Sequence, residues 1–272
     1  MEAGGISHHY LEWGDPENPP LLMLHGTSHC AQVWDYAAKT LSTEFHVLCF
    51  DQRGHGDSDA PGFGYTFDQL GQDLASIVQQ LELSGVSILA HSSGGFAAII
   101  SDSLLPGSIG RVVMVETRMT RRTQGPIGTE RVKRTRQKRS IWESRDALYK
   151  AYRNRPAFES WQEEIFRDFT RGGTRLLDDG RAQLKCSPEV EAAYYESRDS
   201  LDLFRYMDGL QGEYLLLLGN YPGGQTIDSE GVQQFQELVG GAQIKPLGMG
   251  THFLPMEYPD LVVNEARDFL YC

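Results

Sequence analysis

Short apolar runs and helical stripes alternate along the first 116 residues. Residues 20–24 (PLLML) form an apolar run that stops at His25-Gly26. Residues 45–50 (FHVLCF), 86–91 and 111–116 (RVVMVE) repeat the pattern, the first of them halted by DQRGHGDS. Brief apolar runs bounded by turn residues predict buried strands. Between them, Val33, Trp34, Ala37, Ala38 and Leu41 recur at helical spacing. In 66–83, Leu70, Leu74, Ile77, Val78 and Leu81 share one stripe, with Gly85 as the stop, and 95–105 predicts a further helix. Strands that are apolar throughout, alternating with helices, predict an α/β protein with a mostly parallel sheet covered on both faces.

The alternation breaks at residue 117. Residues 118–139 hold nine Arg or Lys and a single acid, Glu130. Residues 141–200 are amphipathic, with aromatics such as Trp142, Tyr149, Tyr152, Phe158, Trp161, Phe166 and Phe169 and no strand pattern. The alternation resumes with a strand at 214–218 (YLLLL), a helix at 229–239, a short strand near 242–246 and a helix at 259–270. The expected organisation is one α/β core, residues 1–117 and 201–272, with a helical insertion over 118–200 after the sixth strand.

Composition narrows the partners. With 272 residues and 40% apolar content, the chain can build one large core. A formal net charge of −12 argues against nucleic acid as a partner. No apolar run is long enough for a membrane span, and none follows a basic N-terminus as a signal peptide would, so a soluble, cytoplasmic protein is expected. Cys30, Cys49, Cys186 and Cys272 are scattered, which suits buried thiols in a reducing compartment better than disulfides or a zinc site. The terminal Cys272 does not fit a prenylation box. The basic run 118–139 reads first as a solvated face offset by the acids of the core, and second as a device that steers an anionic substrate or meets an anionic surface.

The chemistry centres on ILAHSSGGF, residues 88–96. Ala90-His91-Ser92-Ser93-Gly94 places a serine between a strand and a helix, with small residues two before and two after it. That spacing fits a nucleophile elbow, whose strained backbone lets strand and helix pass closely; Ala90 stands where glycine is usual. Alternatively, Ser92 and Ser93 simply cap the next helix. Ser93 can offer its backbone N–H to a developing oxyanion, and Thr27, in His25-Gly26-Thr27 at an earlier strand end, can offer a second. Gly248-Met249-Gly250-Thr251-His252-Phe253 puts a histidine in a loop before the last helix, where His252 can serve as general base. Of the other histidines, His8 and His9 are expected in an N-terminal strand, solvated or capping. His46 and His55 read as structural, His25 and His91 flank the site, and His29 is expected at the pocket mouth.

Taken in order, HGTSH, DQRGHGDS, AHSSGG, a strand-end acid and GTHF resemble the α/β-hydrolase superfamily over about residues 6–117 and 213–271. The resemblance implies an eight-stranded, doubly wound sheet and makes the insertion a helical cap over the pocket. It gives Asp51 and Arg53 structural roles. Most members carry the triad acid in a Gly-x-x-Asp turn, but the turn here reads Gly219-Asn220-Tyr221-Pro222. Two acids remain open: Glu116 at a strand end, the position used by zearalenone-type lactonases and cofactor-independent quinolone dioxygenases, and Asp228 further along. The resemblance therefore implies a serine hydrolase of a small-molecule ester or lactone, with Ser92, His252 and Glu116 as triad and Thr27 and Ser93 as oxyanion hole. It needs no metal or organic cofactor. A serine at the elbow argues against haloalkane dehalogenase and epoxide hydrolase chemistry, which uses aspartate there. C–C or amide-bond cleavage, cofactor-independent dioxygenation (with His29 in the pocket) and a ligand-binding receptor with a slow triad stay as alternatives. A homodimer is left open.

Overall fold

The structure, a computed structural model, describes residues 1–119 and 129–271. Arg121 and Arg122 of the basic run, and Cys272, lie outside the described residues. Among the described residues the central sheet has seven strands: β1 (Tyr10–Trp13), β2 (Pro20–Leu24), β3 (His46–Phe50), β4 (Val86–His91), β5 (Ile109–Val115), β6 (Glu213–Leu218) and β7 (Gln243–Pro246). Their order is β7-β6-β5-β4-β2-β3-β1. All neighbours are parallel except β1, which runs antiparallel to β3.

The expectation of eight strands is corrected to seven. The first residues do not extend the sheet. Gly4 and Gly5, with φ of 58° and 78°, fold Glu2–Ala3 back onto Ile6–Ser7 as a separate two-stranded hairpin. His8 and His9 follow that hairpin rather than lying in a strand. His8 is buried instead of solvated, and His9 Nδ1 bonds Asp51 at 2.7 Å.

Helices α1 (Asp35–Leu41), α2 (Phe67–Gln80), α3 (Ser93–Leu104), α8 (Glu230–Leu238) and α10 (Pro259–Tyr271) flank the sheet. Alternate strand residues feed two separate cores. Leu22, Leu24, Ile88, Ala90, Val112 and Met114 pack with α2, α3 and α8. Leu21, Met23, Leu89, Val113 and Val115 pack with α1 and α10 on the opposite face. Period-two alternation with both sets apolar explains why the strands read as unbroken hydrophobic runs.

Between β5 and β6 lie α4 (Thr129–Arg136), α5 (Arg145–Arg153), α6 (Glu163–Gly172) and α7 (Pro188–Arg198). Three short strands, Ile141–Trp142, Thr174–Leu176 and Ala182–Leu184, pair antiparallel among them. Strands of two or three residues show no periodicity, so the sequence pattern misses them. This segment divides between the two cores: Trp142, Tyr152, Trp161, Phe166 and Phe169 join the α1–α10 side, while Val190 and Tyr194 join the other. Among the described residues no helix is long and apolar enough to cross a membrane.

The loop after β3 is a polar knot. Asp51 accepts hydrogen bonds from the Ala31 and Asp57 amides, and Arg53 grips Asp73 of α2 through Nε and Nη2, both at 2.7 Å. Arg53 is also the buried partner that offsets the charge of Asp73. Arg53→Ala would strand a buried carboxylate, and we expect it to destabilise the fold by about 3–5 kcal/mol, read as a lowered urea midpoint. A midpoint within experimental error of the parent would show that the pair is dispensable.

Candidate active site

The site is built at the ends of β2, β4, β5 and β6, on the C-terminal edge of the parallel strands, where α/β sheets bind ligands. Ser92 follows β4 with φ 52° and ψ −113°, a conformation costly for a residue with a side chain. It is held there by Ser92 N–H donating to Val115 O at 2.9 Å and by the Thr117 hydroxyl donating to Ser92 O at 3.1 Å. The glycines act by close approach. A Cβ on Gly94 would stand 2.6 Å from Leu24 O, and one on Gly26 would stand 2.8 Å from His91 Nδ1 and 3.2 Å from Ser92 Cβ. Ala90 is fully buried in β4, paired with Leu24 of β2 and Met114 of β5, and its φ is not positive, so the backbone there does not demand glycine.

His252 Nε2 lies 3.0 Å from Ser92 Oγ. Its Nδ1 lies 3.5 Å from Glu116 Oε2. Glu116 ends β5 with φ 54°, the second strained residue of the site, and its side chain is almost fully buried. Gly219 N–H donates to Glu116 Oε1 at 2.6 Å, and the Tyr221 hydroxyl donates to Oε2 at 2.7 Å. Asp228, the other acid left open by the sequence, is exposed just before α8. The structure therefore brings Glu116, and not Asp228, beside His252.

Tyr221 is a site residue that sequence reasoning passed over. It sits in the Gly219-Asn220-Tyr221-Pro222 turn, read only as a turn lacking its acid. A tyrosine there can hold, from the next strand, a carboxylate placed at the end of β5. Burial, and then the bond to Glu116, push its phenol well above the ordinary range.

Ser93 is the first residue of α3, so its N–H has no partner within the helix. The Thr27 hydroxyl donates to Ser93 Oγ at 3.1 Å, which ties the two residues expected to face an oxyanion. His91 Nε2 bonds the backbone oxygen of His252 at 2.7 Å and so fixes the histidine loop to the elbow. His55 and His46 are structural, as expected: Ser28 N–H donates to His55 Nε2, and His46 Nε2 meets Glu12. His29 lies buried in the pocket wall rather than at its mouth, stacked 5.5 Å from His91.

These groups open onto a cavity of about 360 Å³. Thr27, Ser92, Ser93, His252, Phe96 and Tyr221 line it from the core, and Arg131, Lys138, Tyr152, Phe158 and Phe169 from the inserted segment. Phe253, next to His252, meets Trp161 at 5.3 Å and Phe158 at 6.1 Å between ring centroids, so the insertion packs directly on the histidine loop. Of the aromatics noted in the sequence, Trp161 is buried packing, whereas Phe158 also faces the cavity. Away from this site, His9, Asp51 and Asp57 bring metal-type ligand atoms within 4.8 Å of one another. Those atoms are engaged in the polar knot, with Lys185 on Asp57 at 2.6 Å.

Burial dominates the titration of the surrounding histidines. It pushes His91 down to about 3, assisted by repulsion from His252, and holds His29 well below the usual imidazole value. The unfolded chain would protonate His91 near 6.5, so falling pH favours the unfolded state and stability should decline from 6.5 toward 3. We expect the urea midpoint to drop between about pH 7.5 and pH 5, and to drop less in His91→Gln, whose amide can keep the bond to His252 O. An identical pH dependence in variant and parent would exonerate His91.

Comparison with known proteins agrees with this architecture. The model of the family described as "Alpha/beta hydrolase family" matches residues 21–266. The chain is 32% identical over 116 residues to a non-heme chloroperoxidase of Streptomyces lividans, covering 42% of this chain and 42% of that protein. It is 29% identical over 117 residues to epoxide hydrolase 4 of Mus musculus, covering 42% of this chain and 33% of that protein. The match thus spans less than half the length of either curated relative. The crystal structure of E-2-(acetamidomethylene)succinate hydrolase superposes with a TM-score of 0.82 at 19% identity, covering 99% of this chain and 97% of that one. At that identity the likeness is one of fold.

Proposed function

The chain belongs to the alpha/beta hydrolase family, and we propose that it is a serine hydrolase of carboxylic esters or lactones. The observation that carries this reading is Ser92 Oγ at 3.0 Å from His252 Nε2, with Glu116 on the far nitrogen of the same ring. In this reading, neutral His252 accepts the Ser92 proton at Nε2 as Oγ attacks the carbonyl carbon. Glu116 orients the ring and stabilises the imidazolium, while the Thr27 and Ser93 amides receive the oxyanion. The imidazolium then protonates the leaving oxygen. Water, deprotonated by His252, cleaves the acyl-enzyme and regenerates Ser92. The 3.5 Å separation between His252 and Glu116 is loose, as is common before substrate binds.

A serine at the elbow favours an acyl-enzyme on Oγ over the ester intermediate that an attacking carboxylate would form. The segment 118–200 acts as a cap in this reading, because Arg131, Lys138, Tyr152, Phe158 and Phe169 line the cavity that holds Ser92. Three free, buried cysteines suit a reducing compartment, and we assign the protein to the cytoplasm on that basis.

Fluorophosphonate labelling read by intact mass should give one adduct, on Ser92, and none in Ser92→Ala. Glu116→Gln should lower kcat on a 4-nitrophenyl ester by roughly 10²–10⁴-fold, the scale seen when a triad acid no longer holds its histidine. Asp228→Asn should stay within about twofold of the parent, as expected for an exposed residue outside the site. If Asp228→Asn is the damaging change, Glu116 is not the acid. If Ser92→Ala keeps full turnover, Ser92 is not the nucleophile.

A further inference from the structure

The nine basic residues of 118–139 do not behave as one group. Several are paired with acids of the inserted segment: on the surface Arg136 with Glu189 and Glu196 and Arg139 with Glu143, and below it Lys138 with the buried Glu191. Arg136 and Arg139 fit the reading of a solvated face, although their acids belong to the insertion and not, as expected, to the core, and Lys138 lines the cavity but is offset by Glu191. Arg118 and Arg131 have no such acid among the described residues. Together with Arg198 of α7 they line the cavity that contains Ser92 and His252. Among the described residues none of the three has a carboxylate within ion-pair distance. The stretch 120–128 (TRRTQGPIG) contains no acid that could supply one.

Each of the three is nonetheless placed. Arg118 donates through Nη2 to Gly223 O at 2.8 Å. The Arg131 guanidinium lies 3.7 Å over the Tyr195 ring. Arg198 is half-buried beside them. Arg118 and Arg131 are exposed and Arg198 is half-buried; three guanidiniums lining one pocket, in a chain of net charge −12, repel each other unless an anion joins them. Burial, and then the charges of Arg118 and Arg131, push the Arg198 guanidinium below its ordinary value.

We propose that Arg118, Arg131 and Arg198 form an anion subsite in the Ser92 cavity, and that the ester or lactone cleaved there carries a free carboxylate remote from the scissile bond. This rests on the serine-hydrolase reading above. The planar guanidinium donors match a carboxylate, and binding it fixes which carbonyl is presented to Ser92. The reaction releases a carboxylic acid and an alcohol or enol from the ester and one water. For a carboxylate on the acyl side the product is therefore a dicarboxylate.

The test compares two substrates of equal acyl length, 4-nitrophenyl hydrogen adipate and 4-nitrophenyl hexanoate. The parent should favour the anionic ester by about tenfold or more in kcat/KM, and the preference should shrink between about 50 and 500 mM NaCl. Arg198→Gln should lower the ratio of anionic to neutral kcat/KM by about tenfold, while Arg198→Lys retains part of it. Arg131→Gln, at an exposed position, gives a second variant should Arg198→Gln fail to fold. A parent ratio below one, or a ratio that neither glutamine variant changes by more than about twofold, overturns the subsite. Failure of the hydrolase reading looks different: neither ester is consumed and Ser92 takes no fluorophosphonate. In that case calorimetric titration with adipate and with adipamide decides. Adipate binding that Arg198→Gln weakens about tenfold keeps the subsite, and adipate binding no better than adipamide overturns it.

Discussion

Two strained residues at the ends of adjacent strands set the geometry on which the site depends. Ser92 closes β4 and Glu116 closes β5, each in left-handed backbone geometry that neither residue type favours. The strands are parallel neighbours, and Ser92 N–H bonds the carbonyl of Val115, one residue before Glu116. The two turns are therefore coupled: moving either strand displaces both side chains. The sheet supports the strain because its strands are buried on both faces by separate cores. His252 arrives from the loop before α9 (Leu254–Glu257), and the His91–His252 backbone bond fixes its distance from Ser92.

Around this frame polar groups are spent locally. Glu116 is held by Gly219 and Tyr221 from the neighbouring strand end, so its buried carboxylate has partners besides His252. Burial keeps His29 and His91 neutral, so the wall behind Ser92 adds no fixed positive charge beside His252. Positive charge enters instead from the inserted segment, whose Arg118, Arg131, Lys138 and Arg198 line the cavity. The reacting groups and the proposed anion subsite thus come from different parts of the chain: a rigid sheet edge and a segment whose aromatics dock on it through Phe253. That division lets ligand selectivity vary without disturbing the strained turns.

Much of this was legible in residue order. The apolar runs ending at Leu24, Phe50, His91 and Val115 marked strands because a two-sided parallel sheet requires unbroken hydrophobicity. Ser92 and His252 could be singled out because small residues must flank a serine on a tight turn, and because a glycine-rich loop carries the histidine. What escaped depended on pairing across long separations. Whether residues 1–9 would add an eighth strand was settled by where Gly4 and Gly5 reverse the chain. The three strands between residues 141 and 184 are too short to leave a period.

The sequence by itself determined the α/β class, the place of the insertion and the presence of a serine, a histidine and two eligible acids in workable order. These follow from local properties: hydrophobic period, turn-forming glycines and side-chain chemistry. Only the tertiary structure decided that Glu116 rather than Asp228 stands at His252, that Tyr221 grips that carboxylate, and that Arg118, Arg131 and Arg198 line the cavity without a carboxylate while Lys138 beside them, and Arg136 and Arg139 on the surface, find one. Each of these pairs residues from separate elements, and strand order and helix rotation set their distance, which no local pattern in the chain encodes.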